Sequence, residues 1–192
     1  MKFAFAILLA YLLGSVNPSI IQGRLRGIDI KKEGSGNAGA TNCLRVMGKK
    51  AALISLSCDV LKGVLAVWLG RLLGGYSCAA CCGVVCFAGG IWPLYFRFAG
   101  GKGVATCFGV MLAMNWKAAL LAFLVALVTV LITKMVSAGS ILGSVAMTLC
   151  TFIFEKPFVI GAAVMMIVII VKHRGNIDRI RKGTEAKLVL KR

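Results

Sequence analysis

Ala51-Ala52-Leu53-Ile54-Ser55-Leu56-Ser57-Cys58-Asp59-Val60-Leu61-Lys62-Gly63-Val64-Leu65-Ala66-Val67-Trp68-Leu69-Gly70 is twenty residues long and almost wholly apolar. About twenty such residues are what a helix needs to cross a bilayer. Two charges sit inside it, Asp59 and Lys62, spaced i, i+3 on one helix face. A lone charge at the bilayer centre costs roughly 2.5–3.5 kcal/mol. Opposite charges on one face therefore pair and turn inward. Such a pair serves either as a structural strut near a helix end or as a wall of a site.

Similar runs continue in both directions. They cover about Phe3–Gln22, Leu72–Trp92, Val104–Asn115, Ala118–Thr133, Val136–Phe154 and Phe158–Val171. Of the 192 residues, 59% are hydrophobic, and the mean hydropathy is +0.91. A soluble domain has about 45–50% apolar residues. The expected fold is an all-α, polytopic membrane protein of about seven transmembrane helices, forming a single domain over 1–192. Met1-Lys2 precedes an apolar run, but no small-residue cleavage site follows it, so no cleavable signal is expected.

The net charge of +17 would suggest nucleic acid in a soluble protein. Here the basic residues lie at membrane edges without aromatic interleaving, so nucleic acid is not expected. With seven spans, loop 23–50, segment 93–103, Lys134 and tail 172–192 share one face, which carries 18 of the 23 Lys and Arg. Lys2, Arg71, Lys117 and Lys156 fall on the other. Positive charge marks the cytoplasmic side. The N-terminus is then outside and the C-terminus cytoplasmic. Cys78, Cys81, Cys82 and Cys86 share a helical face in an apolar run and read as small buried hydrophobes; no metal is expected.

The polar motifs all fall on the cytoplasmic side. Gly34-Ser35-Gly36-Asn37-Ala38-Gly39-Ala40-Thr41-Asn42-Cys43-Leu44-Arg45 has no face to bury, and offers hydroxyls, amides and backbone N–H groups suited to an anion. Arg45 adds a fork that fits phosphate. Gly100-Gly101-Lys102-Gly103 resembles part of a P-loop. The Walker pattern fails, because Phe96 stands where its first glycine belongs and Gly103 where Ser or Thr follows the lysine. His173 and Asp178 form a His-x₄-Asp match, as in a different glycerolipid acyltransferase family. At i, i+5 on a helix they diverge, so the His173/Asn176 pair at i, i+3 is the better working face. Donors (Ser35, Asn37, Asn42, Arg45, Lys102, Ser137, Ser140, His173, Asn176) greatly outnumber acids, which suits phosphate groups at a bilayer surface. They are expected to close around the same phosphates. Neither a nucleophilic dyad nor a hydrolytic carboxylate pair is evident. An enzyme built this way would position an already activated donor. A carrier or flippase for a phosphorylated solute is the alternative, although no inverted repeat is visible.

In order along the chain stand Gly14-Ser15, Gly34-Ser35-Gly36-Asn37 with Gly39, Thr41, Asn42 and Arg45, then Asp59-x-x-Lys62-Gly63 and Pro93. Gly100-Gly101-Lys102-Gly103-Val104-Ala105-Thr106, Val136-Ser137 with Ser140, His173-Arg174-x-Asn176-Ile177-x-Arg179 and Gly183-Thr184-Glu185 follow. This series resembles the acyl-phosphate:glycerol-3-phosphate acyltransferase (PlsY) family over nearly the whole chain. The resemblance implies a bacterial inner-membrane enzyme with a cytoplasm-facing site. It implies acyl transfer from acyl phosphate to the sn-1 hydroxyl of glycerol 3-phosphate, giving lysophosphatidic acid and phosphate. No cofactor is implied. The functional neighbour would be the enzyme that makes acyl phosphate, and no oligomer is required. By the family pattern Ser35, Arg45, Lys102, His173 and Asn176 are catalytic. Gly34, Gly36, Asn37, Thr41, Asn42, Gly100, Gly101, Gly103, Thr106, Ser137 and Ser140 bind substrate. Asp59, Lys62 and Glu185 support. The chain departs from the pattern at Gly90, where Gly-His is usual at 89–90, and at Ala99, where a lysine is common. Its early Gly-Ser-x-Pro is also shifted to Gly14-Ser15-Val16-Asn17-Pro18.

Overall fold

The structure is a computed structural model that describes residues 1–188. Lys191 and Arg192 of the basic tail lie outside the described residues. All regular structure among the described residues is helical. The helices are α1 (Lys2–Ser15), α2 (Pro18–Arg24), α3 (Ala40–Ile91), α4 (Val104–Met114), α5 (Trp116–Thr133), α6 (Val136–Phe154), α7 (Val159–Lys172) and α8 (Arg174–Arg181). Short 3₁₀ turns cover Leu94–Phe96 and Lys156–Phe158. Each apolar run becomes helical, and α8 is an addition within the basic tail.

The residues form two compact units, Met1–Met114 and a second that begins at Asn115. In the first unit, α1 and α2 are bent by 44° at Val16-Asn17, between the two helices of the first apolar run. Asn17 accepts a hydrogen bond from Ile20 N at 3.0 Å, and Pro18 follows in the first helical turn, so α2 starts with a side-chain cap.

The 52 residues of α3 are not one rod. Cys86 Sγ lies 3.5 Å from Lys62 O, although 24 residues separate them. Along one straight helix that separation is about 36 Å. The chain doubles back at Gly74-Gly75, where Gly75 has φ +71. A β-carbon on Gly70 would stand 2.7 Å from Ala79 Cα, so small residues let the two limbs touch. Two antiparallel limbs result, as the separate hydropathy of the runs suggested, with the bend at Gly74-Gly75 and not at Arg71 between the runs.

Their inner faces are lined with small side chains. Ala6, Ala10, Ala66, Cys78, Cys82 and Cys86 form one buried cluster. The four-cysteine face is corrected here: Cys81 is exposed, because a step of three from Cys78 rotates it off the stripe that holds Cys82 and Cys86. A β-carbon on Gly109 would collide with the Val60 backbone, so α4 lies directly on α3.

In the second unit, α5 and α6 approach at Gly139 and Gly143, both against Ala126. Asn115 caps α5 by accepting from Ala118 N, and donates to Phe154 O and the Glu155 carboxylate. The exposed faces are apolar, as at Leu121, Leu124, Leu131 and Ile132. That is the surface of a protein whose solvent is lipid. Three helices are long and apolar enough to cross a membrane, or up to five if each bent pair counts as one span.

Candidate active site

In the first unit, the Gly34–Arg45 loop is organised from inside by Asn42, which is 1% exposed. Its Oδ1 accepts from Ser35 N at 2.8 Å, and its Nδ2 donates to Ile30 O at 3.1 Å and Glu33 O at 2.9 Å. A β-carbon at Gly34 would overlap that Oδ1, which is why glycine stands there. Asn42 therefore shapes the loop, while Ser35 and Arg45 remain exposed on it. Gly39 leads into α3 at Ala40, so the positive end of a helix dipole opens at the loop.

The second glycine loop is held at the end of α3. Gly100 N donates to Ile91 O at 3.1 Å, and Gly101 N to Gly90 O at 3.2 Å. The loop feeds α4 at Val104 and again presents a helix N-terminus. A β-carbon on Gly101 would stand 2.9 Å from Ala38 O. The two glycine loops, over sixty residues apart in sequence, thus touch at Ala38 and Gly101. Lys102 is half-buried beside that contact, and Thr106 is buried in the first turn of α4.

Asp59 and Lys62 do pair, at 2.7 Å. Lys62 is 5% exposed and also donates to Gly14 O at 3.1 Å and Val16 O at 3.0 Å. An ammonium has three N–H donors, and these partners use all three. Of the two sequence readings, the structure favours the strut.

In the second unit the centre is Glu185. Its Oε1 accepts from Ser137 Oγ at 2.7 Å and Asn176 Nδ2 at 2.6 Å, and its Oε2 from Arg179 Nε at 2.7 Å. Burial pushes this carboxyl's pKa up, but the three hydrogen bonds and the Arg179 charge outweigh it, holding the pKa below the ordinary 4.5. Ser137, Asn176 and Glu185 come together as one cluster, which Arg179 completes. Ser140 instead donates to Val136 O in its own helix.

His173 is 3% exposed and its Nδ1 lies 2.8 Å from Ile169 O. A carbonyl only accepts, so Nδ1 carries the proton and Nε2 is the basic nitrogen of the neutral ring. Asp178 is exposed on α8, so the His-x₄-Asp match does not form a dyad. Sequence reasoning assigned no role to Arg179 or Asn17. The i, i+3 spacing of Arg179 from Asn176 was the available signal; for Asn17 it was Asn-Pro at a helix start.

A protein-family model described as "Glycerol-3-phosphate acyltransferase" matches residues 4–183. This chain belongs to that acyltransferase family. A Thermoanaerobacter sp. (strain X514) protein named glycerol-3-phosphate acyltransferase is 42% identical over 184 residues, covering 94% of this chain and 93% of that protein. A Deinococcus radiodurans protein named glycerol-3-phosphate acyltransferase 1 is 42% identical over 186 residues, 95% of this chain and 94% of its own. The crystal structure of PlsY (YgiH), an integral membrane glycerol 3-phosphate acyltransferase, in its glycerol 3-phosphate form has a TM-score of 0.95 to this chain. It is 34% identical, with 98% of this chain and 96% of that one covered. The lysophosphatidic acid form of the same protein gives a TM-score of 0.91.

Proposed function

We propose that this acyltransferase moves a fatty acyl group from acyl phosphate to the sn-1 hydroxyl of glycerol 3-phosphate, releasing 1-acylglycerol 3-phosphate and inorganic phosphate. The observation that carries the reading is the meeting of two glycine loops at Ala38 and Gly101, each opening a helix N-terminus, in a chain of this family. Such loops bind anions, and the reaction has a phosphate on both substrates. The chain acts as one domain of seven spans, 1–192, in the bacterial inner membrane. Its N-terminus is outside, and its C-terminus and working face are cytoplasmic. The basic bias of loop 23–50 and the tail supports that orientation. The enzyme that makes acyl phosphate is its functional neighbour.

Acyl phosphate is a mixed anhydride, so its carbonyl needs orientation more than activation. The substrate hydroxyl oxygen forms a bond to the acyl carbon, and the bond from that carbon to the phosphate oxygen breaks. Ser35, Arg45 and Lys102, with loop N–H groups, stabilise the departing phosphate. Gly100, Gly101 and Gly103 let glycerol 3-phosphate approach the backbone. Gly34, Gly36, Asn37, Thr41, Thr106, Ser137 and Ser140 complete the substrate contacts. Asn42 and Glu185 hold those contacts in place. The hydroxyl proton passes to His173 Nε2 or to a substrate phosphate oxygen, with Asn176 three residues after the histidine.

The test is direct. Purified protein is mixed with palmitoyl phosphate and glycerol 3-phosphate, without acyl-CoA, and phosphate release is followed. Glycerol-3-phosphate-dependent release is expected; a folded sample that releases none refutes the reading. Uptake of a phosphorylated solute into vesicles without release would instead point to the carrier.

A further inference from the structure

At the break between α1 and α2, Gly14 O and Val16 O lack helical partners. Gly14 O would be met by the N–H of residue 18, but Pro18 has none. Val16 O would be met by Ile20 N, but Ile20 N is taken by the Asn17 cap. At membrane depth such groups must be satisfied inside the protein. Lys62 Nζ satisfies both, at 3.1 and 3.0 Å, with Asp59 at 2.7 Å taking its third proton.

From this point a closed circuit runs through the first unit. Asn17, next to Val16, donates from Nδ2 to Ala38 O at 3.1 Å in the first glycine loop. Gly101 of the second loop packs on that carbonyl and donates its own N–H to Gly90 O at 3.2 Å. Gly90 returns to the start, since a β-carbon there would stand 3.4 Å from both Lys62 Nζ and Thr106 Oγ1.

We infer that Lys62 is a positioning residue that sets the spacing of the two glycine loops through Val16-Asn17 on one side and Gly90 on the other. It touches no substrate, because its three donors are used within the protein. Its effect on turnover rests on the acyltransferase reading; its effect on the loops does not.

Lys62→Met alone would leave Asp59 charged and unpaired in the interior, so the test uses the neutral double variant Asp59→Asn/Lys62→Met. Hydrogen exchange is followed by mass spectrometry in the full-length protein. Peptides cover 34–45 and 99–104, with α6 (Val136–Phe154) as reference. Both loops are expected to exchange about tenfold faster while α6 does not change. The double variant should also lose about a hundredfold in kcat/KM, as displaced substrate-holding loops do. Unchanged exchange in either loop overturns the inference. A comparable rise in α6 also overturns it, since that is general loss of stability. Wild-type protein that releases no phosphate would sink the acyltransferase reading, and the exchange comparison would still decide the role of Lys62.

Discussion

Removing the Glu185 carboxylate should release the C-terminal segment. Glu185→Ala strips the acceptor from two buried donors, Ser137 and Asn176, and from Arg179. Hydrogen bonds to a charged group contribute about 1.5–3 kcal/mol each. The Arg179 side chain is 46% exposed, so its ion pair is screened and adds less than about 1 kcal/mol. Water entering the vacated space recovers part of the loss, which leaves about 3 kcal/mol. At about 1.4 kcal/mol per tenfold, local opening becomes roughly a hundredfold more frequent. Trypsin reads this, because cleavage after Arg179 in α8 requires local unfolding. The expected result is cleavage there about a hundredfold faster than in wild type. A rate within threefold or so of wild type would refute the claim that Glu185 holds α8 to α6, being a change of only about 0.7 kcal/mol.

The same carboxylate gives a pH signature. Its pKa is depressed in the folded protein, so its stabilisation is fully present above the ordinary 4.5 and is lost as pH falls through the lower folded value. Trypsin-independent probes of α8, such as hydrogen exchange corrected for intrinsic rate, should show this loss in wild type and not in Glu185→Gln. Asn42→Asp keeps one oxygen for Ser35 N but turns the other toward Ile30 O and Glu33 O, costing about 2–3 kcal/mol. The Gly34–Arg45 loop should lose exchange protection and phosphate release should fall. Gly103→Ala places a methyl against the Phe87 ring at φ +79, a strain of about 1–3 kcal/mol. The KM for glycerol 3-phosphate should rise, and an unchanged KM would remove this loop from that substrate. His173→Ala separates the two proton routes: a fall in kcat of about 10²–10⁴ with glycerol 3-phosphate binding intact assigns the general base to His173. Substantial turnover at saturating substrate would assign the proton to a substrate phosphate.

Much of the architecture is local and so was legible along the chain. Hydropathy separated 51–70 from 72–92, and the structure places the bend at Gly74-Gly75, just inside the second run. The limits of α4 and α5 likewise follow their own apolar runs, 104–115 and 118–133, to within about two residues. The glycine loops were legible for the same reason, since a run without apolar side chains has nothing to bury.

Which donor meets which acceptor was not legible, because that depends on residues far apart in sequence. Asn42 looked like another ligand donor, yet its amide is spent on Ser35, Ile30 and Glu33. The expected cysteine face lost Cys81 to helical rotation. Composition determined by itself that this chain is a membrane helix protein, because transfer from water to lipid is summed residue by residue. Only the tertiary structure decided that Lys62, already paired with Asp59 by helix spacing, spends its other protons on Gly14 and Val16, and that Glu185 gathers Ser137, Asn176 and Arg179. In an interior without water an unpaired polar group is costly, and folding alone brings its partner within reach.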